Sequence, residues 1–338
     1  MMIDYRTEAP PVLRDFLSYH ETIKAHSRLT VDEYYLDLRN FFRYLKMMRD
    51  PSLRGSELSE ISIMDIDLDF IQSVTLTDIY EYMSYLSRDR VQHQNSDKSE
   101  YGLNAASCAR KISTIRSFYN YLTNKAHLIE NNPVKDIDSP KLRKTLPKYL
   151  TLDESMQLLG AVDGQNRERD YAILTIFLNC GLRISELCGL NLQDVQDEAL
   201  RVLGKGNKVR IVYLNDACLD ALRDYLAVRR PITGRDQNAL FLSSRNERIS
   251  KSTVHALVKK HISAAGLDST QYSSHKLRHT AATLMLQNGV DVRAVQEVLG
   301  HEHLNTTEIY THIDNEALRV AAKANPLSRV KASGKKNN

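Results

Sequence analysis

Apolar positions recur at intervals of three and four residues through the first 130 residues, which is the spacing of one helix face. The pattern is clearest over residues 30–46, 74–87 and 104–122, and Thr77 is a suitable N-cap for the second of these helices. The polar stretches 50–60 and 91–102 are predicted to be loops. We therefore expect an N-terminal helical domain over residues 1–130.

Prolines at positions 133, 140 and 147 interrupt the helical period and predict a linker over residues 131–150. The linker is basic, and two interpretations stay open. It is either a solvated connection or a segment that lies along a polyanion. The basic residues that matter for the second interpretation are Lys141, Arg143 and Lys144.

The second half combines helical segments with one β-hairpin. Residues 170–180 are nearly all apolar and predict a buried helix, after which the period changes to that of strands over 200–203 and 209–214. The predicted fold is mainly α with a small antiparallel β-sheet, an α+β class. The second domain is expected over 151–326, followed by a basic flexible tail over 327–338. Further helices are predicted at 216–228, 252–265, 275–288, 292–299, 305–312 and 315–324.

Composition narrows the class of protein. The chain has 338 residues, 42% hydrophobic and 26% charged, which is typical of two globular domains. It contains no apolar run near the ~18–20 residues of a membrane span, and its start lacks a secretory signal pattern. We therefore expect a cytoplasmic protein. The net charge of +4 permits an anionic partner without requiring one. The four cysteines have no zinc-like spacing and are expected to be reduced thiols.

Candidate chemistry is concentrated in the second half. In GLRISEL, Arg183 and Glu186 are three residues apart and share a helix face. Lys205 stands between two glycines in the predicted hairpin turn, where it projects from the tip. Taken singly, these features are also typical of a local ion pair and of an exposed turn lysine.

A second group follows toward the C-terminus. In HKLRH, His275 and Arg278 share a face, and His279 is four residues from His275, as in a pair of zinc ligands. However, Lys276 replaces the glutamate that a helical zinc hydrolase needs, so a metal site is disfavoured. His301 follows a glycine at a predicted helix end, and Tyr310 lies nine residues further on.

Together these side chains suit a phosphodiester substrate. Attack at phosphorus builds negative charge on the oxygens, and arginine forks can hold that charge at two points. No carboxylate cluster suited to Mg²⁺ stands out, so the pattern favours a metal-free reaction with a side-chain nucleophile. The ordered set is Arg183, Lys205, His275, Arg278, His301 and Tyr310.

The segments GLRISEL, GKGNKVR, HKLRH, LGH and TTEIYTH resemble the catalytic segments of the tyrosine recombinases, or phage integrase family, and are of Xer type in character. The resemblance covers nearly the whole chain and is most specific over residues 150–315. It implies an N-terminal four-helix, SAM-like DNA-binding domain and a mixed α/β catalytic domain, which together clamp a duplex.

The resemblance also implies the residue roles. Tyr310 would attack the phosphate to give a 3′-phosphotyrosyl link, His275 would assist removal of its proton, and Lys205 would protonate the leaving 5′-oxygen. Arg183 and Arg278 would clamp the non-bridging oxygens.

Two further roles follow from the same resemblance. His301 would hydrogen-bond a phosphate oxygen, and Glu186 would act as an accessory acid that orients its neighbours. No cofactor or metal is expected.

The implied partner is a double-stranded DNA core site, exchanged within a homo- or hetero-tetramer on two duplexes whose subunits swap the C-terminal helix. An activating cell-division protein is a further implied partner, and no membrane is. The basic residues expected to grip DNA in the first domain are Arg110, Lys111 and Arg116, together with the linker.

The implied function is resolution of chromosome or plasmid dimers at cell division. An integrase or transposase of a mobile element, with the same chemistry, is the alternative. A strand-relaxing topoisomerase and a DNA-binding regulator with a decayed site stay open as more distant possibilities.

Overall fold

The structure is a computed structural model that describes residues 4–92, 100–138, 148–204, 208–234, 236–300 and 324–329. The chain divides into two compact units, residues 1–144 and 145–338. Each unit has its own cluster of buried apolar side chains. Within the described residues, no helix has both the length and the apolar character needed to cross a membrane.

The N-terminal unit is mainly helical. A short antiparallel strand pair, in which Val91 lies opposite Tyr101, directly precedes the long final helix of this unit. This pairing corrects the expectation of a loop over 91–102. The elements in chain order are α1 (Tyr5–Glu8), α2 (Pro11–Ser18), α3 (Arg28–Arg49), α4 (Leu68–Gln72), α5 (Leu76–Arg88), β1 (Val91–Gln92), β2 (Glu100–Tyr101) and α6 (Ala105–Asn124).

The N-cap of helix α5 is Thr75, two residues before the expected cap. The Thr75 hydroxyl accepts a hydrogen bond from the backbone N–H of Asp78, and the Asp78 carboxylate accepts one from the backbone N–H of Thr75 at 2.8 Å. This reciprocal capping box satisfies two N–H groups that the first turn leaves without partners. The prediction that Thr77 is the N-cap is therefore wrong, because Thr77 lies inside the first turn.

Aromatic side chains fill the core of the N-terminal unit. Phe16, Phe41, Phe42 and Phe118 are fully buried, and the rings of Phe16 and Phe118 meet edge to face at 5.3 Å. Burial of each such side chain contributes roughly 1.5–3 kcal/mol to folding. The apolar side chains that recur with helical periodicity in the sequence thus form the core of this unit.

The predicted linker is shorter than expected at both ends. Val134 and Ile137 are buried in the N-terminal core, and the Ile137 carbonyl accepts a hydrogen bond from Arg116 at 2.6 Å. Leu150 is fully buried in the C-terminal core, and its N–H donates to the Thr280 hydroxyl at 3.0 Å. Residues 139–147 lie outside the described part of the chain.

The C-terminal unit packs helices around a small sheet with strand order β3-β4-β5, in which Val202 lies opposite Arg210. This confirms the expected class, mainly α with a small antiparallel sheet. The elements are α7 (Leu152–Gly160), α8 (Arg167–Cys180), α9 (Ile184–Gly189), β3 (Val195–Gln196), β4 (Ala199–Leu203), β5 (Val209–Tyr213), α10 (Asp216–Val228), α11 (Lys251–Ala264), α12 (Ser274–Gln287) and α13 (Val292–Leu299).

Helix α8 is the buried centre of this unit and packs against α10 and α12. A segment close to the C-terminus also packs on it. The Asn325 side chain donates to the Leu178 carbonyl at 3.0 Å, and Leu327 is fully buried in the same core. The expectation of a flexible tail from residue 327 is therefore wrong at its first residue, because an apolar side chain there fills the core.

Candidate active site

Arg183 stands at the beginning of helix α9, three residues after helix α8 ends. Gly181 closes α8 in a left-handed conformation with φ of 59°. Arg183 then binds Glu186 twice, through its backbone N–H to Oε2 and through Nη1 to Oε1, each at 2.8 Å. The local ion pair expected from their spacing is present.

Arg278 reaches the same carboxylate from helix α12. Its Nη1 donates to the Gly181 carbonyl at 2.5 Å and lies 4.0 Å from Oε2 of Glu186. Burial, together with the neighbouring charge of Arg183, lowers the pKa of Arg278 to about 10, so the side chain stays cationic at neutral pH. Arg183 and Arg278, which are 95 positions apart in the sequence, thus both lie at the Glu186 carboxylate.

A third arginine, which the sequence analysis missed, completes the cluster. Arg210 lies on strand β5 and binds Glu186 at two points, Nη1 to Oε1 at 2.8 Å and Nη2 to Oε2 at 2.9 Å. The sequence does contain a feature that could have identified it, because Arg210 is a charged residue inside the apolar strand 209–214. We call Glu186, Arg183, Arg210 and Arg278 the arginine cluster.

The C-terminal end of helix α13 holds all three arginines. The last carbonyls of a helix lack intrahelical partners and carry partial negative charge, so they favour cations. Each of three successive carbonyls accepts from a different arginine. These pairs are Val298 with Arg210 at 3.2 Å, Leu299 with Arg278 at 2.7 Å, and Gly300 with Arg183 at 3.0 Å. The residue that follows this end is His301.

The electrostatics of the arginine cluster favour an anion. Burial alone would raise the pKa of Glu186, but hydrogen bonds from Arg210 and Arg183 lower it to about 2. Three guanidinium charges therefore face one carboxylate, and the cluster keeps a net positive charge. Bonds to described residues use two of the five N–H donors of Arg183, and its side chain is 37% exposed. A phosphate can therefore reach it.

The two histidines of HKLRH have different surroundings. His275 is exposed in the first turn of α12, three residues before Arg278. His279 is half-buried, and burial, followed by the nearby Lys276 and His275, lowers its pKa. No group of three or more metal-binding side chains occurs among the residues that the structure describes.

The remaining predicted catalytic residues, Lys205, His301 and Tyr310, lie outside the described residues, as do Lys141, Arg143 and Lys144 of the linker. The base of the Lys205 hairpin is described. Gly204 N–H donates to the Lys208 carbonyl at 2.7 Å, and a Cβ on Gly204 would lie 3.6 Å from Nη1 of Arg210. The hairpin therefore starts beside the arginine cluster.

The basic residues of helix α6 are engaged within the N-terminal unit. Lys111 is 6% exposed, and its Nζ binds the buried carboxylate of Asp37 at 2.6 Å. Arg110 binds both oxygens of Asp37, at 2.6 and 2.9 Å, and Thr114 donates to it at 3.0 Å. A buried carboxylate needs such partners. Burial therefore corrects the expectation that Lys111 lies on a DNA-facing surface.

Arg110 and Arg116 are less enclosed than Lys111. The Arg110 side chain is 47% exposed and also contacts Glu33 at 3.0 Å. Arg116 is half-buried and donates to the Ile137 carbonyl. Both guanidinium groups thus combine an internal contact with access to solvent.

The sequence is similar to known proteins over nearly its full length. Residues 148–317 match the phage integrase family. The chain is 50% identical to "Tyrosine recombinase XerC" of Caldanaerobacter subterraneus subsp. tengcongensis, over 95% of this chain and 88% of that protein.

Solved structures show the same fold. XerH site-specific recombinase bound to difH substrate in a pre-cleavage complex has a TM-score of 0.60 and 22% identity, over 92% of this chain and 84% of that chain. A lambda integrase tetramer bound to a Holliday junction has a TM-score of 0.56 and 19% identity, over 88% and 80% of the two chains. The family match and the 50% identical relative establish that the chain belongs to the phage integrase family and is a tyrosine recombinase.

Proposed function

We propose that this chain is a site-specific recombinase of Xer type that cuts and rejoins DNA through a 3′-phosphotyrosyl intermediate. The observation that carries the proposal is the convergence of Arg183 and Arg278 on one buried carboxylate. These arginines come from separate helices, and both are cationic at neutral pH. A pair of fixed guanidinium groups of this kind suits a phosphodiester whose oxygens gain charge during attack.

The arginine cluster contributes by being in place before the reaction. Carbonyls and a carboxylate already orient Arg183 and Arg278, so little reorganisation is needed when phosphorus becomes five-coordinate. In other enzymes, loss of one hydrogen-bond donor to the charge that develops in the transition state raises the activation barrier by about 2.7–4 kcal/mol. Arg183 and Arg278 are therefore assigned the two non-bridging oxygens, and His301 a further hydrogen bond to one of them.

The bond changes balance without a metal or ATP. The Tyr310 oxygen forms a bond to phosphorus while the bond to the 5′-oxygen breaks. The phenolic proton leaves with the help of His275, and Lys205 gives a proton to the 5′-oxygen. Attack by a 5′-hydroxyl of the partner strand reverses these steps and releases the tyrosine.

Strand exchange needs more than one active site. Two rounds of cleavage and rejoining, through a Holliday junction, exchange two duplexes and require four subunits. A protein of the same fold, lambda integrase, is seen as a tetramer on a Holliday junction, which supports this arrangement. We assign the exchange between subunits to the predicted helix at 315–324, and the assembly is a homo- or hetero-tetramer.

The cellular role we favour is resolution of chromosome or plasmid dimers at cell division. Its support is 50% identity to a protein named XerC over 95% of this chain. Chromosomal substrates place the protein in the cytoplasm, and an activating cell-division protein is part of this proposal. A mobile-element integrase shares the chemistry and stays the second candidate, because the arginine cluster serves both roles equally.

We assign the grip on the core site to the N-terminal unit. Arg110 and Arg116 of α6 keep partial exposure, and the linker adds Lys141, Arg143 and Lys144. Lys111 acts indirectly, since it holds Asp37 and thereby the position of Arg110. Phosphate contacts of this kind make binding weaken steeply with salt.

A nicked duplex that carries a core site tests the chemistry, because loss of the short fragment after cleavage traps the covalent complex. The unsubstituted chain should form an adduct that survives denaturation, with and without EDTA. Tyr310→Phe should form none, while Tyr80→Phe, at an exposed tyrosine of the N-terminal unit, should behave as the unsubstituted chain. An adduct in Tyr310→Phe, or its loss with EDTA, would refute the proposal.

A further inference from the structure

Arg210 is the arginine of the cluster to which the proposed mechanism gives no role. Its side chain is 16% exposed, and it binds both oxygens of Glu186. The Glu186 carboxylate in turn binds Arg183 through two donors. Arg210 thus contacts Glu186, which in turn contacts Arg183, a residue that we assign to the phosphate.

Three separate segments meet at the Arg210 guanidinium. It binds Glu186 of helix α9, and its Nε donates to the Val298 carbonyl at the end of α13 at 3.2 Å. A Cβ on Gly300 would lie 3.1 Å from its Cδ, so that glycine allows the close approach. Its own strand, β5, is one side of the hairpin that carries Lys205.

These contacts need the shape of arginine. The planar guanidinium presents parallel N–H groups that match a carboxylate at two points and still has Nε available for a third partner. A lysine in its place keeps the charge but offers one compact ammonium. The partners of Arg210 therefore use the full fork and not only its charge.

We propose that Arg210 is a positioning residue for DNA cleavage, which fixes Glu186 and the end of α13 and so holds Arg183 and Arg278 ready for the scissile phosphate. The inference rests on the proposed function and adds a residue to it. Arg210 itself touches neither the phosphate nor the nucleophile in this account.

A structural role alone would predict something different from a positioning role. Loss of the Glu186 pair would then lower stability and leave the chemistry of the folded protein intact. A positioning role predicts that the folded variant binds DNA normally and cleaves it slowly. It also predicts that the defect depends on the charge of the phosphate, because Arg183 and Arg278 act on its charged oxygens.

The test compares Arg210→Gln and Arg210→Lys with Arg201→Gln. Arg201 is the matched control, since it lies on the neighbouring strand β4 with a 49% exposed side chain. Single-turnover adduct formation is measured on a nicked duplex with an ordinary phosphate and on one with a neutral methylphosphonate at the scissile position. Thermal midpoints and DNA dissociation constants are measured for each variant.

Arg210→Gln should lower the cleavage rate about 100-fold, the scale expected when catalytic groups shift by about 1 Å. Arg210→Lys should fall between it and the unsubstituted chain, and Arg201→Gln should be unchanged. DNA affinity should change little, and the defect should shrink on the methylphosphonate. If Arg210→Gln does not fold, Arg210→Lys carries the same comparison.

A normal cleavage rate in folded Arg210 variants, or an equal loss on both substrates, would overturn the positioning role and leave the proposed function standing. Absence of any adduct with the unsubstituted chain would instead overturn the proposed function, and this inference with it.

Discussion

Glu186 holds Arg183 at both its backbone and its side chain, with hydrogen bonds of 2.8 Å from the N–H and from Nη1. The acid thus fixes the start of helix α9 and the direction of the guanidinium together. A buried carboxylate can in this way determine where the guanidinium of Arg183, which we propose binds the phosphate, lies.

Replacement of this acid should therefore impair both folding and cleavage. In Glu186→Gln, the charge that balances Arg183 and Arg210 is lost, and removal of one partner from a buried pair costs about 3–5 kcal/mol. We expect a clearly lower urea midpoint and a cleavage rate reduced about 100-fold. Glu198→Gln, at an exposed position in the turn between β3 and β4, serves as the control. Unchanged stability and rate in Glu186→Gln would refute the role given to the acid.

The stability that Glu186 contributes should depend on pH in a defined window. Its pKa is lowered from an ordinary 4.5 to about 2 in the folded chain, so the unfolded chain takes up its proton first as pH falls. The contribution is complete above about pH 4.5 and is lost as pH falls toward 2. The difference in thermal midpoint between the unsubstituted chain and Glu186→Gln should shrink across that window. A difference that stays constant or grows on acidification would contradict the assignment.

In the N-terminal unit, Lys111→Met should act on stability before it acts on DNA. The substitution removes the Nζ contact of 2.6 Å and leaves the buried Asp37 with fewer partners. Loss of one partner from a buried pair typically costs about 3–5 kcal/mol. Urea unfolding measures the cost, with the exposed Lys125→Met as the matched control. Normal stability with a selective loss of DNA affinity would instead indicate that Lys111 contacts DNA, as first expected.

The turn between α8 and α9 should tolerate only glycine at position 181. Gly181 has φ of 59°, and an added Cβ would lie 2.5 Å from Cδ2 of Leu299. Alanine there pays roughly 1–2 kcal/mol for the left-handed conformation and must also displace Leu299, whose carbonyl binds Arg278. We expect Gly181→Ala to lower the thermal midpoint and the cleavage rate. Gly189→Ala has no neighbour within 4 Å and is the control, so equal behaviour of the two variants would contradict this account.

The sequence predicted those parts of the molecule that local patterns determine. Apolar periodicity identified helix α6 to within two residues at its C-terminal end, and the change of period identified strands β4 and β5. The pairing of Arg183 with Glu186 followed from their spacing alone. That Arg278 belongs to the same site as Arg183 was predicted from the ordered set of cationic side chains and from the family resemblance, and not from any local pattern.

Contacts between distant segments could not be predicted in the same way. Lys111 and Asp37 are 74 positions apart, and nothing near either residue signals that the lysine is buried. The two-point bond from Arg210 to Glu186 likewise depends on how the sheet packs against α9. The use of helix-end carbonyls as arginine ligands involves backbone atoms, which side-chain patterns do not report.

The most direct test of the central claim identifies the residue that carries the DNA. The covalent complex is digested with nuclease and trypsin, and the modified peptide is sequenced by mass spectrometry. The tryptic peptide over 294–319 contains a single tyrosine, Tyr310, so the site can be assigned without ambiguity. The account predicts a nucleotide joined through a 3′-phosphate to Tyr310. A nucleotide on any other residue, or one joined through a 5′-phosphate, would contradict it.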